Sequence, residues 1–395
     1  MTTNYDPPSA PTPSEQQAEH AAAAFAAYEG CAMADLASAA AAFPPDVHAL
    51  LPELAERIKA QHAAVCANAS FLAGMLDALN IRAAYDYTSD DGTDEPGGAA
   101  VAAGDAGGEP DAEAAVAHAR VRGVLMQLRR EWSDDSVVER QQSFEPMLAA
   151  LDAALGDSLG ASAAGGGHKE PPRVLVPGAG LGRLVYEASA RGYYALGVEP
   201  SFFMLLPAHY VMRTLLAERR SVAIRPFAHE LANRRDARDV VRTVALPGAS
   251  LLSAETLPAP PPMVAAEFGA VASEPRHAGR WDALLTCFFV DACPDVTEAI
   301  AHARNVLRPG GVWVNRGPLL YHGARDCEGA GSGGGGFGGG GPRLSADELL
   351  LLVQRSGFEL VESDFRRCAY CSDELSMCRT EYECLWFVVR KQKME

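Results

Sequence analysis

The chain has 395 residues, 48% of them hydrophobic, enough for one large domain or two ordinary ones with a substantial core. Its 51 acidic residues outnumber 34 basic ones, and the net charge of −17 has the wrong sign for a protein that binds by neutralising phosphates, so nucleic acid is not an expected partner. Nine cysteines, an odd number in a chain whose first residues show neither a basic nor an apolar leader, fit a reducing compartment, and the expected location is cytoplasmic with the nucleus as an alternative.

Residues 1–14 are rich in Pro, Ser and Thr and read as a disordered tail. A helical region is expected over 15–160, because apolar residues recur at three and four in FAAYEGCAMADL, in HALLPELAERIKAQHAAVCANASFLAGMLDAL, in VRGVLMQLRREW and in VVERQQSFEPMLAALDAAL. The Ala-rich stretch at 21–42 is broken by Glu29 and Asp35, so no membrane span is expected there. Within this region, residues 89–113 lack apolar periodicity and read as a disordered acidic loop.

From residue 171 to 395 strands alternate with helices. RVLVP (173–177), YYALGVE (193–199), MVAAEF (263–268), WDALLTCFFV (281–290) and GVWVNR (311–316) read as strands, with LVYEASARG and VTEAIAHARNVL as intervening helices. Such alternation predicts an α/β fold with a doubly wound, mostly parallel sheet. Two further strands, FELVESDF and YECLWFVVR, bring the sheet to seven, and the Gly-rich run at 329–341 reads as a disordered insertion. Cys368 and Cys371 form a CxxC followed by Cys378 and Cys384, but these sit among strand-like residues and no metal is expected.

The first of these strands runs into PGAGLGRL, in which Gly178, Gly180 and Gly182 precede a helix whose free N–H groups face a ligand. Glu199 closes the second strand 21 residues after Gly178, the distance at which an acid bonds both hydroxyls of an adenosine ribose. A dinucleotide fingerprint prefers GxGxxG, whereas here the third glycine comes one residue sooner, and a Pro-Gly-Gly turn precedes the fifth strand. The glycine spacing favours S-adenosyl-L-methionine as cofactor, and the Pro-Gly-Gly turn resembles the arrangement of the class I methyltransferase family, which implies the same. In LTCFFVDACP an apolar strand stops on Asp291, a carboxylate that must be solvated, paired or used.

Taken in order, VPGAGLGRL, EPSFFML, TCFFVDA, LRPGGVWVNRGPLLYH, DELSM and YECLWFVVRK resemble the carnosine N-methyltransferase family, a class I methyltransferase (Rossmann-like) group, over nearly the whole chain apart from the low-complexity insertions. The resemblance implies that Gln127 and Arg130, which share a helical face, reach the methionine moiety of S-adenosylmethionine. It implies Gly178, Gly180, Gly182 and Glu199 for the nucleoside, Glu267 and Phe268 for adenine, and Cys287 as a cofactor neighbour. For the acceptor it implies Asp291, His322, Tyr370 and Tyr382, with Asp291 and His322 catalytic. The family usually has Asp where this chain has Glu267, and Gly-Asn-Glu where it has Gly197, Val198 and Glu199.

The implied activity is methyl transfer to an imidazole nitrogen of carnosine, giving anserine. A histidine in other peptides or proteins, a non-catalytic S-adenosylmethionine-binding protein and an NAD-dependent oxidoreductase remain alternatives. The implied partner is a small molecule or peptide carrying imidazole, and a homodimer is one of the oligomeric states left open.

Overall fold

A computed structural model of the chain describes residues 13–81, 112–164, 170–229, 231–254, 257–321 and 342–393. His322, the Gly-rich run at 329–341 and most of the tail and acidic loop lie outside the described residues. The helical region comprises α1 (Pro13–Ala41), α2 (Pro45–Leu50), α3 (Glu53–Ala78), α4 (Ala112–Trp132) and α5 (Val137–Ala164). Pro13 and Ser14, assigned to the tail, thus open α1, and Ala112 and Glu113, assigned to the acidic loop, open α4. Pro suits a first helical turn and Glu113 favours its positive end, which overrides their polar surroundings in the sequence.

The remainder runs β1 (Arg173–Pro177), α6 (Arg183–Ala190), β2 (Tyr194–Val198), α7 (Phe202–Tyr210), β3 (Val222–Ile224), β4 (Val244–Leu246), α8 (Ala249–Ser253), β5 (Met263–Val264), α9 (Phe268–Ser273), β6 (Trp281–Cys287), α10 (Val296–Val306), β7 (Leu307–Gly317), α11 (Ala346–Arg355), β8 (Phe358–Ala369) and β9 (Glu381–Lys391). Seven strands form one sheet in the order β5-β2-β1-β6-β7-β9-β8, parallel except for β9, which is antiparallel to both neighbours. This is the doubly wound, mostly parallel seven-stranded sheet that the alternation of strands and helices implies.

Period-two alternation divides the strands between two cores. In register across the sheet, Leu196, Leu175, Leu284, Trp313 and Val389 form a row that packs under α9, α10 and α11. The next row, Ala195, Val174, Ala283 and Val312, faces α5 and α6. Both faces are covered, which is why these strands read as nearly continuous apolar runs. A third core joins α1, α3 and α4 to α7 and to the β3/β4 hairpin, around Phe25, Tyr28, Met75, Leu128 and Phe203.

Two strand expectations are corrected and one hairpin is added. MVAAEF pairs only through Met263 and Val264, because Glu267 adopts an extended N-cap conformation and Phe268 begins α9. WDALLTCFFV ends as a strand at Cys287, since Phe288 takes a positive φ of 54° that no ladder accommodates. The hairpin of β3 and β4 goes unannounced, its three-residue strands being too short to show a period.

Candidate active site

The C-terminal ends of β1, β2, β6 and β7 meet at one edge of the sheet, where open α/β folds bind ligands. Gly178, Gly180 and Gly182 all have positive φ, 62°, 54° and 81°. A Cβ on Gly178 would lie 2.4 Å from Cδ2 of Phe289, so the glycine is required both by conformation and by space. The Gly180 N–H donates to Oε2 of Glu199 at 2.9 Å and the Ser201 N–H to Oε1 at 3.0 Å. Glu199 is buried, and burial pushes its carboxyl up, with the like charge of Glu267 adding to the effect against those two backbone donors. Each carboxylate oxygen retains lone-pair capacity for a hydroxyl donor, which fits a ribose.

Phe268 contributes differently from a ring on adenine. Its side chain is locked in the core, edge-on to Phe289 at 5.7 Å and His302 at 5.8 Å. What remains for a ligand is its backbone, in the open first turn of α9 beside the exposed Glu267.

The opposite wall is the last turn of α4, which carries Gln127, Arg130 and Glu131. Trp132 Nε1 donates to the Leu181 carbonyl at 3.1 Å and Arg183 Nη1 to the Glu131 carbonyl at 2.9 Å, so this turn is latched to the glycine loop. Arg130 is buried, with Nε on Glu139 Oε1 at 2.5 Å and its guanidinium 4.8 Å from the Tyr370 ring centre. Burial opposes its charge, but Tyr370, Glu139 and Glu131 outweigh that and hold it protonated above the ordinary arginine value. Its Nη2 is buried without a hydrogen-bond partner among the described residues, a donor suited to a carboxylate such as that of a methionine moiety.

Glu131, unmarked in the sequence reading, lies between these walls. Its Oε2 accepts from the Arg183 N–H at 3.2 Å, the first residue of α6. A pyrophosphate docked on this helix would need that same N–H end, so the chain's own carboxylate stands where a dinucleotide's phosphates would dock. With Glu199 and Glu267 also facing the loop, the edge suits a cationic ligand better than a polyphosphate. The residues present therefore fit S-adenosylmethionine: acceptors for ribose, a free cationic donor for a carboxylate, and negative charge for a sulfonium.

Beyond β6 the backbone turns sharply. Phe288, Tyr321 and Cys371 are non-glycine residues with positive φ, and they lie on the loops after β6, β7 and β8. Strain of this kind gathers where a site is being shaped. Gly317 allows the turn, since a Cβ there would lie 3.2 Å from the Phe288 Cα. Phe288 is consequently no core residue, as the strand reading held: its ring packs 4.8 Å from Tyr370, 6.0 Å from Tyr382 and 5.5 Å from the Arg130 guanidinium. Tyr370 in turn accepts a 2.8 Å bond from Gln127 Nε2 and lies 6.1 Å from Tyr382. Burial pushes the Tyr370 phenol up to about 12 and the Cys287 thiol up to about 12, so both are neutral groups here.

Asp291 lies four residues past the end of β6, in a short 3-10 turn, and is only 2% exposed. Its Oδ2 accepts the Leu320 N–H at 3.0 Å. Burial first, then the negative charge of Asp291, pushes the Tyr382 phenol up. The loop between β8 and β9 is anchored by Asp373 of DELSM, which holds Arg242 at 2.9 Å and also pairs with Arg234, and by Arg129 Nη1, which donates to the Ser372 carbonyl at 3.0 Å.

The structure thus assembles Gln127, Arg130, Cys287, Tyr370 and Tyr382 around Phe288, sets Gly178, Gly180, Gly182, Glu199, Glu267 and Phe268 along the adjoining loop, and puts Asp291 at the rim; His322 lies outside the described residues. Glu131 and Glu139 were missed: the run RRE at the end of α4 marks charges that must be paired, whereas Glu139, on α5, carries no such local signal.

A family model described as carnosine N-methyltransferase matches residues 109–393. Carnosine N-methyltransferase of Dictyostelium discoideum is 32% identical over 277 residues, covering 69% of this chain and 55% of that protein. The Mus musculus carnosine N-methyltransferase is 31% identical over 280 residues, 69% of this chain and 63% of that one, and the Schizosaccharomyces pombe protein is 29% identical over 280 residues, covering 71% of its own length. The chain spans between about half and two-thirds of the first two relatives.

Proposed function

Because the chain belongs to the carnosine N-methyltransferase family, we propose that it transfers the methyl group of S-adenosylmethionine to an imidazole nitrogen of carnosine, giving anserine and S-adenosylhomocysteine. The observation that carries this is the buried Asp291, three residues beyond Phe288, whose ring packs on Tyr370 and Tyr382.

S-adenosylmethionine supplies, when bound, a methyl carbon already activated by its sulfonium. The chain then has to align a nitrogen lone pair and exclude competitors. Neutral imidazole has one N–H and one lone pair. Asp291, accepting the N–H of the distal nitrogen, fixes the tautomer whose other nitrogen is free to attack, and its charge stabilises the imidazolium that develops. Phe288, Tyr370 and Tyr382 present three rings to that cation. The Tyr370 and Tyr382 phenols remain protonated near neutral pH and so orient polar groups of the dipeptide rather than compete for its proton. Arg130 and Gln127 hold the methionine end of the donor, Glu199 its ribose, and the backbone of Phe268 with Glu267 its adenine; His322 joins the acceptor side in the same proposal. Cytoplasmic or nuclear residence and a homodimeric state belong to it as well.

The test is incubation with S-adenosylmethionine and carnosine, with the methyl position of the product assigned by NMR. A new methyl on the carnosine imidazole is the expected result. Methylation of histidine-containing peptides or proteins but not of carnosine would move the acceptor, and cofactor binding with no transfer to any imidazole would reduce the chain to a binding protein.

A further inference from the structure

We propose that Glu131 and Arg130 form a paired clamp for an α-amino-acid headgroup, with Glu131 taking the ammonium of the methionine moiety and thereby selecting the donor. This rests on the S-adenosylmethionine reading of the site.

The two side chains are consecutive on α4 yet face one opening. Glu131 Oε1 stands 3.7 Å from Arg130 Nη1, and the adjoining Nη2 is buried without a partner among the described residues. The ammonium and carboxylate of an amino acid sit on one carbon, so a cationic and an anionic side chain at this spacing match both ends of the zwitterion at once. Glu131 Oε1 also lies 3.3 Å from the point a Gly180 Cβ would occupy, and it is glycine at that position that leaves the carboxylate uncovered on the loop side.

A purely structural role accounts for only part of this. Oε2 holds the Arg183 N–H and so braces the start of α6, but Arg130 is already bonded through Nε to Glu139. Burial raises the Glu131 carboxyl despite Arg130 and the backbone donors of Arg183 and Leu181, so these partners offset the cost of its negative charge only in part. A bound ammonium supplies the missing counter-charge. Glu139, the other buried carboxylate at this guanidinium, has its Oε1 engaged by Arg130 Nε and by the Cys371 N–H.

The test uses the full chain and calorimetric binding of two ligands, S-adenosylhomocysteine and 5′-methylthioadenosine, the second lacking the amino-acid headgroup. Glu131→Gln is expected to weaken S-adenosylhomocysteine roughly 10- to 150-fold, the range for a charged hydrogen bond, and 5′-methylthioadenosine less than about 2-fold. Equal losses for both ligands would show that Glu131 only supports the loop, and no loss for S-adenosylhomocysteine would remove it from the site; either overturns the proposal. Should Glu131→Gln not fold, the unaltered chain with the des-amino analogue of S-adenosylhomocysteine gives the same comparison from the ligand side, and equal affinity for the two overturns it. Failure of the unaltered chain to bind S-adenosylhomocysteine at all would instead refute the donor reading on which the clamp depends.

Discussion

Replacing Asp291 by Asn changes the site by one atom and its hydrogen-bond logic completely. Asp291 is 2% exposed and holds the Leu320 N–H at 3.0 Å through Oδ2. An Asn keeps the shape, and its amide oxygen can stay on Leu320, which turns the NH2 toward the acceptor. Two donors then face each other where the imidazole N–H had an acceptor, so the bound ring is driven to the tautomer with its proton on the attacking nitrogen. Loss of the positioned acceptor contributes ~10²- to 10⁴-fold in turnover, or about 2.7–5.4 kcal/mol of barrier at 1.36 kcal/mol per decade. Global stability should move by less than about 1 kcal/mol, because the Leu320 bond survives. Single-turnover methylation of carnosine with saturating donor gives the rate, and S-adenosylhomocysteine calorimetry confirms an intact donor site. A variant within about 3-fold of the parent rate would refute the assignment of Asp291 as the imidazole's anchor. In the parent protein the rate should rise with pH through about 6–7 as the substrate imidazole, with an ordinary pKa near ~6.5, loses its proton.

Gly178→Ala should cost about 1–2 kcal/mol for the left-handed backbone and about 1–3 kcal/mol more for driving Phe289 against Phe268, seen as a lower thermal midpoint and weakened donor binding; an unchanged midpoint would contradict the crowding of this glycine by Phe289. Glu199→Gln turns an NH2 against one of the two backbone donors it now accepts, which should destabilise by ~1–3 kcal/mol and weaken S-adenosylhomocysteine at least ~10-fold by calorimetry. His229 is pushed down to about 3 by burial, with Arg122 and His118 adding, and it is bonded to Tyr28 at 2.5 Å. Unfolded, it takes a proton near ~6.5, so below that pH the unfolded state binds more protons and stability falls by up to ~1.4 kcal/mol per pH unit; urea denaturation at pH 7.5 and 5.5 should show the drop, and His229→Gln should reduce it.

Much of this site could be read before any coordinates because its chemistry is encoded locally. Gly178, Gly180 and Glu199 follow from a loop that must approach a ligand and an acid at the end of the next strand. The five residues of β1 match their apolar run because both faces of the strand are covered. What was illegible depends on distant partners. Phe288 continues an apolar run and reads as core; only the close approach of Gly317 from β7, with the resulting positive φ, turns it into the site. Phe268 looks like a strand end, and it took the Glu267 cap and the Phe289 and His302 rings to make it the buried start of a helix. Glu131 is one more charge in RRE until α4 is laid across the glycine loop.

Tyr370 touches both halves of this edge: Gln127 and Arg130 hold it from the donor wall, and Phe288 and Tyr382 pack on it from the acceptor wall. A partition held from both sides is a thermodynamic link. If filling the donor pocket draws Gln127 or Arg130 away from the tyrosine or fixes them on it, the affinity for the acceptor changes by some factor, and filling the acceptor pocket must change donor affinity by the same factor. Any coupling between the two sides of this edge would therefore pass through a single phenol ring.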